Sequence, residues 1–255
     1  MQRLFGIAQV TVLESFRRKD PYVVLILGFA IMLGAGLFNR FGIAGLEKFV
    51  KDVALTVTNI LCIVLCVVVS ARQFPAELAQ RTLYPLLAKP VSRTTVYLGK
   101  YLGAGIMSSA MVLLFWVELH ALFLVFGISS GAIFFQALYL RILSMWLIAA
   151  VVMTLSLFLT HGANVTASLL LSLAMSTFAN TILAVHSELQ GAARWLAEGI
   201  YWLVPHLELF DLSKKVIHEW PSIPAGALAA LTAYAAVYAA LFVALGTWRF
   251  RRLSL

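Results

Sequence analysis

Side chains that could do chemistry are few in this sequence, and they are spread along the chain. Glu118 and His120 interrupt one long apolar run, and Cys62 and Cys66 lie inside another. A carboxylate in such a run could contact a substrate or carry a proton, whereas a cysteine pair could bind Cu(I) or take part in redox chemistry. Which of these applies depends on the helix face that each side chain occupies.

The spacing within each pair narrows these possibilities. Glu118 and His120 are two residues apart and point to different helix faces, so this helix alone does not provide a two-ligand metal or haem site. Cys62 and Cys66 share a face, and the favoured interpretation is that they pack as small hydrophobic residues, with a copper or redox pair as the alternative. For Glu118 three interpretations stay open: a substrate or proton contact, a buried pairing with a neighbouring helix, or a position near the outer interface.

Two further patterns fall short of catalytic or metal-binding motifs. Gly99-Lys100 is followed by tyrosine, where a phosphate-binding loop requires serine or threonine after the lysine. The spacing of His206, Glu208 and Asp211 is not a recognised metal-ligand arrangement. We therefore expect no catalytic residue, no metal site and no enzymatic activity in this chain.

A stripe of small polar residues follows one helix face further along the chain. Its members lie four residues apart: Ser168, Ser172, Ser176 and Asn180. Such a stripe permits close helix packing with hydrogen bonds, or, like Glu118, it could line a translocation path or a dimer interface, and both interpretations stay open. Gly99 and Gly103 form a G-x-x-x-G spacing, for which close packing is the simpler interpretation.

Composition places these residues in a membrane protein. The 255-residue chain is 62% hydrophobic and 12% charged, and its mean hydropathy is +0.94, which is far more apolar than a soluble domain. A backbone inside a bilayer must satisfy its own hydrogen bonds, so we expect an all-α, polytopic fold. The net charge of +8 flanks the apolar runs, which favours lipid headgroups over nucleic acid as the partner.

The apolar runs predict a single transmembrane domain over residues 1–255. Segment 1–20 is amphipathic, and we expect it to form a helix at the membrane interface. Six spans are predicted, at about 22–38, 53–71, 96–126, 134–160, 165–185 and 223–248. Polar segments at 72–95 and 186–221 separate some of these spans.

Basic residues orient the predicted spans. Most of the 19 Lys and Arg residues fall on the side that holds both termini and segment 72–95. The positive-inside rule therefore predicts cytoplasmic termini and a cytoplasmic segment 72–95. Segment 186–221 is then extracytoplasmic.

Prolines divide the cytoplasmic segment 72–95 into two parts. Pro75 is suited to begin a short helix and Pro85 to end it, while Ser92 is suited to cap a helix that continues into the third span. Lys100, further along that helix, would snorkel to the interface. A short helix with apolar and charged groups suits docking into another protein, and an ordinary connecting loop is the alternative.

Two stretches of the sequence carry a family resemblance. The first combines Glu77 and Arg81-Thr82 with LLAKPVSR and LGKYLG, and the second is LVPHLELFDL, before the last span. Together they resemble the membrane subunits of ABC-2 type transporters, and more narrowly the small permeases of the NosY/GldF kind. The six spans and the internal N-terminus agree with that family.

The resemblance implies a transmembrane permease subunit that couples ATP hydrolysis in a partner to export or remodelling of a substrate that the sequence does not name. The implied partners are a cytosolic ABC ATPase dimer, which would bind ATP and Mg²⁺, and a second permease subunit in a homodimer or heterodimer. No cofactor is expected in this chain, and the location implied is a bacterial cytoplasmic (inner) membrane. A membrane anchor subunit of a redox or envelope-assembly complex is the alternative.

The resemblance also places the contact with the ATPase. A coupling helix around residues 75–84 would touch the partner, with the N-terminal helix as a second contact. The residues implied in coupling are Pro75, Glu77, Arg81, Thr82, Pro90, Ser92 and Arg93.

Overall fold

The computed structural model describes residues 2–38, 46–75, 91–185, 195 and 205–253. Regular structure within these ranges is helical, which confirms the all-α class. The longer helices are α1 (Gln2–Arg17), α2 (Asp20–Phe38), α3 (Leu46–Ala71), α4 (Arg93–Phe126), α5 (Ala132–Leu155), α6 (His161–Val185) and α8 (Ala225–Arg252). A 3-10 helix, η1 (Leu207–Phe210), and the short α7 (Ser213–Ile217) precede α8.

Four helical segments in the described ranges are long and apolar enough to cross a membrane: Glu47–Ala71, Arg93–Phe126, Ala132–Leu155 and Ala225–Arg252. Each exceeds the roughly 20 residues that a span requires. α2 adds a shorter apolar stretch, Pro21–Gly34, and the side chains of α6 beyond residue 173 lie outside the described part. The chain is thus a multi-pass membrane protein, and the count of six spans stays a prediction.

α4 is the central helix and packs against α1, α2, α3, α5 and α8. It starts at Ser92, whose hydroxyl accepts a hydrogen bond from the Thr95 backbone N–H at 3.2 Å, so the predicted N-cap is confirmed. It ends at Gly127, whose φ of 69° lies in the left-handed region that glycine adopts without strain. The 34 residues between contain no proline, and the helix runs through without a break.

α1 packs closely along the first turns of α4. A Cβ atom built at Gly99 would lie 2.8 Å from the Ile7 Cβ, and one built at Gly103 would lie 2.6 Å from the Thr11 Cβ. The close packing predicted for these glycines is therefore confirmed, and α1 is the helix that they admit. The opposite face of α1 exposes apolar side chains: Phe5, Val10 and Leu13. Its position at a membrane interface stays a prediction.

Lys100 does not snorkel as expected. The residue is 4% exposed, and its ammonium lies 5.7 Å from the centroid of the Phe74 ring. The reason is that α1 covers this turn of α4, where Gly6, Ile7 and Lys100 line a cavity of about 280 Å³.

The two ends of the helical bundle differ in chemistry. At one end, which we call the turn end, the Lys51 ammonium lies 2.7 Å from Glu219, 3.0 Å from Glu47 and 3.5 Å from the Ser129 hydroxyl. These contacts connect α3 to the turns after α4 and α7. At the opposite end, which we call the joint end, α3 and α8 finish and α4 begins.

Candidate functional site

A buried arginine marks the candidate site. Arg141 of α5 is 6% exposed, although α5 is apolar enough to span a membrane. Its Nη2 atom lies 3.6 Å from Oδ1 of Asp211, which sits between η1 and α7. Charged side chains inside spans are costly and commonly serve a function or a pairing. Arg141 therefore identifies a site that the sequence analysis did not include.

Asp211 is fixed by a local turn and by α3. Its Oδ1 atom accepts hydrogen bonds from the Ser213 backbone N–H at 2.9 Å and from the Ser213 hydroxyl at 2.5 Å. This is an Asx turn, and it starts α7. Asn59 of α3 donates from Nδ2 to the Ser213 hydroxyl at 2.7 Å and to Asp211 at 3.4 Å. Asn59, Arg141, Asp211 and Ser213 form what we call the Arg141 cluster.

Apolar residues anchor the segment that carries Asp211. Phe210, Leu212 and Val216 are buried, and η1 and α7 pack against α3, α5 and α6. The backbone N–H of His206 donates to the Tyr234 hydroxyl of α8 at 2.9 Å. The buried side chains of Phe210 and Leu212 thus hold Asp211 beside the buried Arg141.

A cavity of about 270 Å³ lies beside the Arg141 cluster, and we call it the turn-end cavity. Its polar lining includes Asp52, Asn59, Arg141, Ser172, Glu208 and Asp211. Two buried oxygen atoms of this lining, Asn59 Oδ1 and Glu208 Oε2, have no hydrogen-bond partner within the described part of the chain. Such atoms are uncommon and call for an explanation.

The predicted serine stripe is divided between packing and this cavity. Ser168 is buried, and its hydroxyl donates to Asn164 Oδ1 at 3.1 Å, while Asn164 donates to the Val152 carbonyl at 3.2 Å. These bonds support the packing interpretation at Ser168. Ser172 is buried and lines the turn-end cavity. The remaining two side chains lie outside the described residues: Ser176 and Asn180.

Glu118 lies apart from the turn-end cavity, on α4. It is half-buried, and its Oε2 atom has no hydrogen-bond partner among the described residues. The Nδ1 atom of His120 lies 3.5 Å from the Ser130 hydroxyl oxygen. The centroid of the His120 ring is 5.8 Å from that of the Phe134 ring. The described residues offer Glu118 no paired side chain, and its three interpretations all stay open.

The environment of the two cysteines supports their packing interpretation. Cys62 and Cys66 are buried and free, which supports their interpretation as small hydrophobic residues, and the Cys66 thiol donates to the Met145 carbonyl at 3.3 Å. His206 and Glu208 lie 3.4 Å apart. Across the described ranges, no group of three His, Cys, Asp or Glu residues is placed to hold a metal ion.

Asn59 and Arg141 were beyond the reach of the motif analysis. The sequence does contain a signal for Arg141, because it is a permanently charged residue inside the run 134–160 that is predicted as a span. An ionisable residue within a span is by itself a pointer to a functional site. Asn59 carries no such signal, because asparagine is only one of several polar residues on α3.

A second arrangement lies at the joint end, where three aromatic rings meet. The rings of Phe74 and Tyr97 stack with centroids 5.3 Å apart, and the Phe250 ring lies 5.0 Å from Phe74. The Tyr97 hydroxyl is 3.2 Å from the Thr154 hydroxyl of α5. A Cβ atom at Gly246 would lie 2.0 Å from the Tyr97 hydroxyl oxygen, so only glycine admits this ring. The ends of α3, α5 and α8 therefore all pack against the start of α4.

Arg93 ties the start of α4 to the end of α8. Its Nη1 atom donates to the carbonyls of Phe250 at 3.3 Å, Arg251 at 3.1 Å and Leu253 at 2.6 Å. In the other direction, Arg251 Nε donates to the Thr94 hydroxyl at 2.9 Å. The last carbonyls of a helix lack partners within the helix and carry partial negative charge, so a guanidinium stabilises them.

Of the residues that the family resemblance implies in coupling, Pro75, Ser92 and Arg93 lie at the joint end. Pro75 directly follows Phe74, and Ser92 caps α4. The others lie outside the described residues: Glu77, Arg81, Thr82 and Pro90. Described residues on either side of segment 76–90, Pro75 and Ser92, thus both lie at the joint end.

Comparison with known proteins identifies the family of this chain. Residues 16–183 match the family described as ABC-2 family transporter protein. The match covers α2 to α5, most of α6 and all of segment 76–90, and it includes Asn59, Arg141 and Ser172. No match was found among curated proteins. Because the match extends over well more than half of the chain, this protein belongs to the ABC-2 family of transporter proteins.

Proposed function

We propose that the chain is the permease subunit of an ABC-2 type transporter and that a separate cytosolic ATPase drives it. The observation that carries the proposal is the set of contacts at the joint end. Phe74, Tyr97 and Phe250 pack together there, and Arg93 binds the last carbonyls of α8. A force applied to segment 76–90 would therefore reach α3, α4 and α8 at once.

The route from the joint end to the turn-end cavity follows two helices. Phe74 follows the end of α3, and Asn59 lies in the interior of that helix. α5 carries Thr154 near its end and Arg141 in its interior. Helices transmit displacement as rigid elements, so a shift at the joint would change the spacing between Asn59 and Arg141. We assign the turn-end cavity as the place where the permease contacts its substrate.

The proposed topology has six spans with both termini in the cytoplasm of a bacterial cell. Basic residues concentrate at the joint end, where Arg72, Arg93, Arg249, Arg251 and Arg252 lie. This is the distribution that the positive-inside rule associates with the cytoplasmic side. The NosY/GldF kind of permease is the subgroup that the motifs favour.

The proposed partners are an ABC ATPase dimer and a second permease subunit. α8 supports the second subunit, because of its 28 residues only Ala235, Gly246 and Phe250 are buried within this chain. Val237, Leu241 and Leu245 of α8 are exposed, and lipid or another permease subunit would cover them. The substrate is not identified by these features, and export and mechanical remodelling both fit the proposed mechanism.

The coupling role is tested by separating partner binding from ATP-driven activity. We expect Glu77→Ala, Arg81→Ala and Arg93→Leu to reduce stimulation of the co-expressed ATPase by the permease in nanodiscs at least about tenfold, while membrane insertion is kept. Arg252→Leu is the matched control, because it removes a cation at the same end whose side chain stacks on Trp248 at 4.2 Å instead. Full stimulation and full partner binding in the three variants would contradict the coupling role.

A further inference from the structure

A second cavity, of about 280 Å³, lies between α1 and the start of α4, and we call it the joint-end cavity. Residues of α1 form one wall and residues on the α4 side form the other: Arg3, Gly6, Ile7 and Val10 on α1, and Val91 and Lys100 opposite. Arg3, Gly6 and Val10 are exposed. An occupant can therefore enter from outside the chain and reach the side chain of Arg3.

The charges of the lining favour an anionic occupant. Arg3 and Lys100 are cations, and Glu14 is the one carboxylate among the described lining residues. Glu14 already accepts a hydrogen bond from the guanidinium of Arg18 at 3.2 Å, and Arg18 lies outside the lining. Lys100 is buried with its ammonium against the Phe74 ring, so it acts through its charge in a medium of low dielectric constant. The exposed Arg3 is the group that can donate hydrogen bonds to an occupant.

Apolar side chains form much of the remaining lining. Ile7 and Val10 contribute from α1, and Val91 contributes from the α4 side. Phe5 and Leu13 of α1 are exposed beside them. An inorganic anion would leave these apolar groups uncovered, whereas a ligand with both a charged group and carbon chains would cover them.

The cavity lies at the depth of a phospholipid headgroup. The turn end contains the charged pair of Lys51 and Glu219, which places that end at one headgroup layer. From Gly127 at the turn end, α4 extends about 40 Å to Lys100 at about 1.5 Å per residue, and a bilayer with its headgroups measures about 40–45 Å. Between Lys100 and Gly127 the sequence contains one Asp, Glu, Lys or Arg residue, Glu118. The joint-end cavity therefore lies at the level of the opposite headgroup layer.

We propose that the joint-end cavity binds an anionic phospholipid. The guanidinium of Arg3 donates hydrogen bonds to the lipid phosphate, and the charge of Lys100 adds to the attraction. The glycerol and the first acyl carbon atoms pack on Ile7, Val10 and Val91. The bound lipid connects α1 to the start of α4. This site requires a multi-pass membrane protein and does not depend on the coupling of the permease to an ATPase.

Native mass spectrometry of the purified full-length chain tests the lipid preference. From nanodiscs with equal amounts of phosphatidylglycerol and phosphatidylcholine, the chain should retain phosphatidylglycerol by about tenfold or more, the preference expected of two cations beside one phosphate. Phosphatidylcholine with the same acyl chains is the matched control, because its choline group cancels the charge of the phosphate. Equal retention of the two lipids would overturn the proposal. An equal gain in unfolding temperature from inorganic phosphate alone would also overturn it, because the ligand would then be free phosphate.

A pair of arginine variants separates a defined site from general attraction to an anionic surface. We expect Arg3→Gln to weaken phosphatidylglycerol retention about tenfold, the loss typical of hydrogen bonds to a charged group. Arg17→Gln removes the same charge from α1, at an exposed position outside the cavity lining, and should leave retention unchanged. An equal loss in both variants would refute the site.

Filling the cavity tests the same site without a change of charge. Gly6 lines the cavity, and a Cβ atom built there meets no atom within 4 Å. Gly6→Leu therefore adds a side chain without a clash and should reduce phosphatidylglycerol retention to the level of phosphatidylcholine, with folding kept. Gly34→Leu on α2, where a Cβ atom also meets no atom within 4 Å, is the matched control. Unchanged retention in Gly6→Leu would show that the lipid does not occupy this cavity.

Photocrosslinking distinguishes a lipid from a protein as the occupant. With p-benzoylphenylalanine in place of Val10, irradiation of intact membranes should attach phospholipid to the chain, and the mass of the chain should rise by that of the lipid. Attachment of another polypeptide in place of lipid would assign the cavity to a protein partner and overturn the proposal.

Discussion

At the scale of single residues, the two partners of the buried ion pair are unequal. The side chain of Arg141 is 7% exposed, whereas that of Asp211 is 47% exposed. Desolvation therefore falls mainly on the guanidinium, which cannot discharge itself by losing its proton. The carboxylate stabilises the arginine more than the arginine stabilises the carboxylate.

This inequality predicts that the two halves of the pair respond differently to mutation. Asp211→Ala leaves a buried cation without its partner and should lower the free energy of unfolding by about 3 kcal/mol. Arg141→Leu removes the buried charge and leaves a half-exposed carboxylate, so it should cost less than about 1 kcal/mol. Thermal unfolding in detergent measures both, with Asp52→Ala as the exposed control. A larger loss in Arg141→Leu than in Asp211→Ala would show that the cost of desolvation does not fall mainly on Arg141.

Glu219 predicts a dependence of stability on pH at the turn end. The hydrogen bonds from Lys51 and Ser129, together with the Lys51 charge, hold the pKa of Glu219 below its usual range. A carboxylate with a lowered folded-state pKa contributes stability above its unfolded pKa of about 4.3, and this stability is lost as the pH falls through the folded-state value. We expect Glu219→Gln to flatten the decline in unfolding temperature between about pH 5 and pH 3. Glu14→Gln, on α1, should leave that slope unchanged, and a Glu219→Gln profile parallel to that of the unmodified chain would contradict the assignment.

At the scale of elements, the α1–α4 contact depends on the absence of two side chains. The backbone carbonyl of Ala8 would lie 2.9 Å from a Cβ at Gly103, and that of Leu4 would lie 3.1 Å from a Cβ at Gly99. Backbone atoms cannot move aside as a flexible side chain can. α1 is therefore held to α4 by shape, since small residues such as Ala8 and Thr11 form its buried face.

A pair of matched glycine substitutions tests this contact. Gly103→Ala should destabilise the chain by about 1–3 kcal/mol, because α1 must shift away from α4. Gly6→Ala, on α1, meets no atom within 4 Å and should be neutral or stabilising by up to about 1 kcal/mol, since alanine is the better helix former. Unfolding of both variants in detergent gives the comparison. Equal stability of the two would mean that α1 is not packed against α4.

At the scale of the whole molecule, the polar features form two layers separated by an apolar bundle. Lys51, Ser129 and Glu219 define the turn end, and the Arg141 cluster lies below it, within the helices. Arg93 and the aromatic rings define the joint end. Because α3 and α5 connect the two layers, the proposed substrate site and the proposed ATPase contact belong to the same rigid elements.

Labelling of single cysteines tests the proposed topology. The native Cys62 and Cys66 are 2% and 0% exposed and should not react with a maleimide, which gives a background free of label. In intact cells a membrane-impermeant maleimide should modify His218→Cys, and it should modify Gln2→Cys and Arg252→Cys only after permeabilisation. Labelling of Gln2→Cys and Arg252→Cys from opposite sides would rule out an even number of spans.

Several parts of the fold and of the candidate site follow from the sequence because they are local. The Ser92 cap and the packing of Gly99 and Gly103 depend on short-range geometry, and the structure confirms both. The snorkelling of Lys100 was wrongly expected, since its burial depends on α1, which is distant in sequence. The predicted role of Ser172 in a translocation path stays a prediction, although its side chain does line a cavity.

The sequence by itself determined that this is an all-helical membrane protein, because hydrophobicity over some twenty residues and the need to satisfy backbone hydrogen bonds leave little choice. Its motifs also led to the ABC-2 family, in which residues 16–183 place it. Only the tertiary structure decided that Asn59, Arg141 and Asp211 meet, and that Arg93 binds the end of α8. Residues 70 or more positions apart, such as Arg141 and Asp211, are brought together by the packing of whole helices. Periodicity within one helix contains no information about the partner that its face will meet.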